Sequence, residues 1–371
     1  MLLWLITIFF LIIYAALIAF YSFHWKKLKK TGSKTSTPIS FISVVIAARN
    51  EASTISELLR DLQNQDYPKH LFEVVVVDDF STDGTAGVIN QFQNIRVIQP
   101  PGPSHPSSKK KAIAAGVEYA KGELILITDA DCRVQPGWIS TIESFYQKHD
   151  AVFIAAPVKF SYQNNIVELF QATDFLVLQG ITAASVSANF HSMCNGANLA
   201  YTKKAFNEVG GFEGIDSVAS GDDMWLMEKI WKKHKENVFY LKDEKAIVST
   251  EPMKSWKDFF MQRRRWASKT IHYDDWRITA VLAFILFFNA WFFILLIAAI
   301  FNSSAWILVL IYLMAKIIIE FPFVYMVSSF YKEQRLLKFF PLFQPLHIFY
   351  IMFIGILSQF GKYEWKGRQT K

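Results

Sequence analysis

Cysteine is scarce in this 371-residue chain: only Cys132 and Cys194 occur. Two distant thiols make no disulfide framework and are too few for a structural zinc site. They read as reduced thiols. Two phosphate-binding signatures are also missing. Where a G-x-G-x-x-G would follow the first apolar run, Ala47-Ala48-Arg49-Asn50-Glu51-Ala52 stands instead. This argues against a dinucleotide-binding dehydrogenase. No G-x-x-x-x-G-K-[ST] occurs, which argues against a P-loop nucleotidase. There is no aromatic-and-glycine RNA signature, internal repeat or low-complexity tract. The excess of 39 Lys and Arg over 32 Asp and Glu is therefore assigned to cations flanking a membrane, not to nucleic acid.

Charge is absent from whole stretches. Leu2–Phe23 carries none, and it is long enough to cross a bilayer. Nothing positive precedes it, while Lys26-Lys27-Leu28-Lys29-Lys30 follows. That order suits an uncleaved anchor over 1–25, with the chain entering the cytoplasm after it. A polar, basic linker fills 26–39. Ile278–Phe301 and Ala305–Val327 read as two further spans joined by the uncharged turn Asn302-Ser303-Ser304. Phe339–Phe360 is a third candidate, interrupted by Pro341 and Pro345. The basic loop Lys332–Lys338 belongs in the cytoplasm. A third span would then put the tail outside, although the tail carries Lys362, Lys366, Arg368 and Lys371. Either the last segment is re-entrant or interfacial, or it breaks the positive-inside rule. Lys316 and Glu320, four residues apart in a span, are a functional pair or simply each other's partner near the bundle interior.

Between these stretches, strands alternate with helices. Phe41–Ala48, Phe72–Val77 and Leu124–Thr128 are continuous apolar runs, as in buried parallel strands. Thr54–Gln63, Gly84–Phe92 and Lys110–Ala120 have helical spacing. The alternation implies a parallel sheet with right-handed crossovers. Pro100–Pro106 is a turn-rich loop, and 150–270 reads as mixed α/β continuing the same domain.

Each apolar run ends in acid: Arg49-Asn50-Glu51, Asp78-Asp79 and Asp129-Ala130-Asp131. Ligands of open α/β sheets bind beyond the carboxyl ends of the strands, so the three clusters should share one crevice. Asp129 and Asp131 offer oxygen ligands for Mg²⁺ or Mn²⁺ bridging to phosphate. Adjacent Asp78 and Asp79 repel unless they meet donors or a cation. Part of this tract, Ser81–Gly84, also suits a turn and helix cap. Gly221-Asp222-Asp223 suits either an acidic helix start or catalysis. Gln262-Arg263-Arg264-Arg265-Trp266 suits either a basic interfacial helix or a site.

Taken in order, V-V-I-A-A-R-N-E, V-V-D-D-F-S-T-D-G-T, D-A-D, G-D-D and Q-R-R-R-W resemble the membrane-bound family 2 glycosyltransferases. These include the cellulose, hyaluronan and poly-N-acetylglucosamine synthase-like enzymes and the ceramide glucosyltransferases. The resemblance implies an α/β, Rossmann-like GT-A domain over 40–270 and a helical transmembrane region over 271–371. It also implies roles. Glu51 and Asp79 match positions that hold the nucleoside of a UDP-sugar. Lys109 or Lys110 matches a lysine near the donor. Asp129 matches the residue near ribose and metal, and Asp131 the direct ligand of Mg²⁺ or Mn²⁺. Asp223 matches the general base. Asp222 stands where relatives carry Glu, a shorter side chain beside the base. Gln262, Arg265 and Trp266 match Q-x-x-R-W, at the donor site by the membrane surface. Asn195-Gly196-Ala197-Asn198 departs from the processive synthases where relatives contact the acceptor.

The resulting expectation is an inverting transferase that moves a sugar to a membrane lipid or growing glycan, within membrane lipids, as a homo-oligomer or with an accessory subunit. A processive polysaccharide synthase is the variant reading. A glycoside hydrolase or a non-catalytic scaffold is the reading from another class.

Overall fold

The computed structural model describes residues 1–29, 39–102, 108–190, 193–214, 221–268, 275–357, 363–365 and 368–370. Most of the Pro100–Pro106 loop, the linker 31–38 and the charged tail lie outside the described residues or their described side chains.

The elements follow in chain order. They are α1 (Leu2–Lys27), β1 (Ile42–Ala48), α2 (Ile55–Gln63), β2 (Phe72–Asp78), α3 (Thr85–Ile89), β3 (Ile95–Ile98) and α4 (Ser108–Tyr119). Then come β4 (Leu124–Ile127), α5 (Trp138–His149), β5 (Phe153–Ala155), β6 (Val158–Phe160), α6 (Ile166–Ser187), β7 (Leu199–Thr202) and α7 (Lys203–Glu208). The last are α8 (Asp222–Lys233), β8 (Val238–Tyr240), β9 (Val248–Thr250), α9 (Trp256–Ala267), α10 (Trp276–Phe301), α11 (Ala305–Tyr331) and α12 (Phe340–Leu357). They group into two compact units. One is helical: Met1–Lys27, Tyr162–His191 and Pro252–Gln369. The other is α/β, built chiefly of Leu28–Ser161 and Ser192–Glu251.

The α/β unit holds a seven-stranded sheet in the order β3-β2-β1-β4-β7-β5-β8. The expected parallel pairing holds for β1, β2, β3 and β4. The sheet turns mixed only at β7, which runs antiparallel to both β4 and β5. Val44, Val45, Val75, Val76 and Leu124–Leu126 are fully or almost fully buried, which is why these runs do not alternate with polar residues. The chain places β2 and β3 on one side of β1 and β4 on the other. That reversal is the topological switch point of an open sheet, where a crevice opens past the strand ends.

α4 lies close on this sheet because of Gly116. A methyl group there would stand 2.4 Å from Val45 Cγ1 and 3.0 Å from Val77 Cγ2. α3 is shorter than its periodicity predicts: it stops at Ile89, and Asn94 is left-handed at φ 62°.

Among the described residues, five helices of the helical unit are long and apolar enough to cross a membrane: α1, α6, α10, α11 and α12. The turn at 302–304 is as read. α12 runs unbroken: Pro341 sits in its first turn, where no amide hydrogen is needed, and Pro345 lies inside it. α6 carries no such reading in the sequence. It is apolar on nearly all sides, and such a helix packs inside. Lys316 and Glu320 do pair, and they gather further partners from two helices. Lys316 Nζ donates to Glu320 and to Gln344 Oε1 at 2.6 Å. Gln344 Nε2 donates to Glu320 Oε2 at 2.6 Å, and the Tyr14 hydroxyl donates to Glu320 as well. Buried polar groups satisfied in this way join α1, α11 and α12.

Gly116→Ala tests the packing of α4. Alanine favours a helix by about 1 kcal/mol, but a methyl at 2.4 Å overpacks the sheet. The expected net loss is about 1–2 kcal/mol, seen as a lower urea midpoint of the full-length protein.

Candidate active site

The β1–α2 and β2–α3 loops are laced together. Asn50 Oδ1 accepts from the Thr82 amide at 2.9 Å, and the Asn50 amide donates to Ser81 Oγ at 3.0 Å. The amides of Glu51 and Ala52 donate to Thr85 Oγ1 and Asp83 Oδ2 at 2.9 and 3.1 Å. Both loops turn through left-handed residues, Asn50 at φ 53° and Phe80 at φ 56°. Asparagine tolerates this region; a bulky residue such as Phe80 does so at a cost of about 1–3 kcal/mol, a strain typical of ligand sites.

The adjacent acids Asp78 and Asp79 divide their work. Asp78 Oδ1 accepts from the Ser81 amide at 3.2 Å and shapes the turn. Asp79 lies beside Arg49, whose Nη1 bonds the Asp79 carbonyl at 2.9 Å and stands 3.4 Å from Oδ2. Arg49 is a site residue to which the sequence reading gave no role. Glu51 Oε2 accepts from Thr54 Oγ1 at 2.9 Å at the head of α2.

Of the lysine tract, Lys109 reaches the acids: its Nζ is 2.6 Å from Asp129 Oδ1. Burial alone would lower the Lys109 ammonium. The charges of Asp129, Asp222 and Asp223 outweigh it and hold the group well above its ordinary value. Lys110 is 1% exposed, with its ammonium 4.7 Å from the Trp225 ring centroid of α8.

Asp131 sits across from these groups. Crowding by the surrounding protein, then the carboxylates of Asp129 and Glu51, push its carboxyl up to about 6. Its side chain is exposed to solvent, so the repulsion is the firmer of the two causes. Asp223 is the second residue of α8, after Asp222 and the left-handed Gly221 at φ 91°. Its Oδ2 accepts from the Gly196 amide at 2.8 Å and its Oδ1 from the Met224 amide at 2.9 Å. Asp222 beside it is buried. Cys194 is also nearby. Burial, then Asp223 and Asp222, raise its thiol far above the usual range, so it stays protonated.

The 195–198 turn splits in the same way. Gly196 faces the site: a methyl there would lie 3.5 Å from Asp223 and 3.6 Å from Lys109 Nζ. Asn198 is fully buried and turns away from it. Its Nδ2 donates to the carbonyls of Pro157 and Ala246, each at 2.8 Å, and its Oδ1 accepts from Trp138 Nε1 at 3.0 Å. Gln262, Arg265 and Trp266 lie on α9 of the helical unit.

Glu51, Asp129 and Asp131 supply hard oxygen donors, with Lys109 paired to Asp129. Among the described residues no group of three or more His, Cys, Asp or Glu closes into a protein-only metal cage. The donor set fits Mg²⁺ or Mn²⁺ held by one or two carboxylates and completed by substrate phosphate.

Comparison with known proteins agrees with this geometry. Residues 43–210 match the family model described as glycosyl transferase family 2. A glycosyltransferase of Haloferax volcanii, AglE, is 27% identical over 195 residues, covering 52% of this chain and 61% of AglE. The poly(ribitol-phosphate) β-N-acetylglucosaminyltransferase TarS of Staphylococcus aureus is 32% identical over 120 residues, covering 32% of this chain and 21% of TarS. The matches thus span less than two thirds of these relatives. Among solved structures, the mannosyltransferase PcManGT of Pyrobaculum calidifontis, in complex with GDP-Man and Mn²⁺, superimposes with a TM-score of 0.61 at 17% identity. The superposition covers 96% of this chain and 100% of PcManGT. The fold is GT-A. The strand-end acids and Lys109 all fall within the segment that matches the glycosyl transferase family 2 model.

Asn198→Ala removes the acceptor of the Trp138 indole N–H and the Asn198 donor to the Ala246 carbonyl, while the Pro157 carbonyl keeps the Val248 amide. A loss of about 3 kcal/mol is expected, measured as a lower denaturant midpoint, with Asn195→Ala as the milder control.

Proposed function

We propose that this chain is an integral-membrane, inverting glycosyltransferase. It takes a sugar from a nucleoside diphosphate sugar, a UDP-sugar in the first instance, and gives it to a membrane lipid or growing glycan. The catalytic domain faces the cytoplasm. The reading is carried by one observation: Lys109 is paired to Asp129 at 2.6 Å while it also feels Asp222 and Asp223. One cation thereby links the strand-end acids to the candidate base. The names of AglE and TarS support the transferase reading, and TarS a glycan acceptor.

Transfer from a diphosphate needs the leaving group neutralised, the acceptor hydroxyl deprotonated and water excluded. Glu51 and Asp79 hold the nucleoside through its N–H and hydroxyl donors. Lys109 leaves Asp129 in part to meet the diphosphate. Asp131 and Asp129 would hold Mg²⁺ or Mn²⁺, which when bound offsets the developing diphosphate charge. Asp223 takes the acceptor proton. The amides of Gly196 and Met224 orient its carboxylate. A single base and in-line attack invert the anomeric centre. The family resemblance assigns Gln262, Arg265 and Trp266 of α9 to the donor and acceptor path.

Purified protein in native lipid extract, given a panel of UDP-sugars with Mn²⁺, is expected to release UDP with one donor. Product mass then separates one added sugar from a polymer. No release with any nucleotide sugar, lipid and glycan acceptors included, would sink the reading. Asp131→Ala is expected to weaken UDP binding about tenfold or more in Mn²⁺ and little in EDTA; equal affinity in Mn²⁺ would remove Asp131 as a metal ligand. Asp223→Asn is expected to bind UDP as wild type does and to transfer about 10²–10⁴-fold more slowly, the usual range for losing a general base.

A further inference from the structure

In the tract Gln262-Arg263-Arg264-Arg265-Trp266, the first arginine differs from the other two. Arg263 is 2% exposed, whereas Arg264 and Arg265 are only partly buried. Arg263 Nη2 lies 2.8 Å from Asp174 Oδ2 of α6, and the Asp174 side chain is 4% exposed. A guanidinium and a carboxylate withdrawn from water together tolerate the loss of neither partner. Membrane-flanking arginines keep their charge in water instead.

The same guanidinium meets the motif's tryptophan. Its central carbon is 4.3 Å from the Trp266 ring centroid and 5.2 Å from that of Phe259. Residues 263 and 266 are three apart on a helix and so share a face. Trp266 also meets Phe175, with ring centroids 6.2 Å apart. α6 therefore supplies two successive residues: Asp174 holds Arg263, and Phe175 holds Trp266. From α12, His347 Nε2 stands 3.6 Å from Asp174 Oδ1.

We propose that Arg263 and Asp174 are positioning residues that hold the Trp266 indole in one orientation on α9. A planar guanidinium stacks on the indole face, which a lysine ammonium cannot do. Asp174 fixes where that plane lies. The assignment of Trp266 to the donor and acceptor path rests on the function proposed above; the contact itself does not.

The test is fluorine NMR of full-length protein in detergent, labelled with 5-fluorotryptophan. The chain has 11 Trp, and Trp266→Phe identifies the signal of Trp266 by its loss. Arg263→Lys keeps a charge for Asp174 and loses the flat stack. It is expected to move the Trp266 signal by more than its linewidth, as is Asp174→Asn. Arg264→Met is expected to move nothing. The remaining tryptophan signals, at their wild-type positions, report the intact fold. In the transfer assay Arg263→Lys is expected to lower kcat about tenfold, with the donor KM within twofold. A Trp266 signal unmoved in both Arg263→Lys and Asp174→Asn overturns the proposal, as does a moved signal with wild-type kcat. If the wild type turns over no donor, the functional reading fails, and the fluorine signal alone still decides whether Arg263 and Asp174 orient Trp266.

Discussion

The register of three parallel strands governs the candidate site. Ala48 pairs with Asp78, and Val45 pairs with Ile127, so β1, β2 and β4 finish on one edge of the sheet. β1 lies between the other two, and the chain reverses its direction of winding there. Glu51, Asp129 and Asp131, which follow β1 and β4, are thereby brought close enough to act on one another's charge. A slip of one residue in β4 would turn its side chains to the opposite face. It would separate Asp129 from Lys109. The packing of Gly116 against Val45 and Val77 serves the same end, because α4 carries Lys109.

That convergence creates an electrostatic problem, which the ligand is suited to solve. Asp129, Asp131, Asp222, Asp223 and Glu51 cluster with Lys109 among them. Crowding by the surrounding protein, then the carboxylates of Asp129 and Glu51, raise the Asp131 carboxyl. Backbone amides from Gly196 and Met224 relieve the repulsion at Asp223, and Lys109 relieves it at Asp129. At Asp131 a divalent cation with its phosphate would complete the balance. The strained Phe80 and the laced loops around Asn50 hold the acids in place against that repulsion.

The helical unit manages buried charge by pairing it. Lys316, Glu320, Gln344 and Tyr14 satisfy one another across three helices. Arg263 and Asp174 pair their charges across two, 2.8 Å apart. In an apolar bundle such groups fix which faces meet, since any other rotation of the helices leaves a charge without its partner. The first network ties α1 into the bundle, and the second ties α9 to α6.

The sequence alone determined the class. Continuous apolar runs require buried parallel strands, the acids at their ends require a polar crevice, and uncharged runs of bilayer length require membrane-type helices. These are properties of local pattern, and composition carries them. Tertiary structure alone decided which member of each pair of similar residues does what. Asp78 and Asp79, Lys109 and Lys110, Gly196 and Asn198, and Arg263 and Arg265 are near neighbours with different fates. A strand end or a helix turn sends adjacent side chains to different sides, and only the packed neighbours settle which side is the crevice. The same holds for α6, whose apolar surface reads as a mixed segment until its partners α1 and α11 are in place. It holds as well for β7, whose antiparallel course depends on pairing with strands distant in the chain.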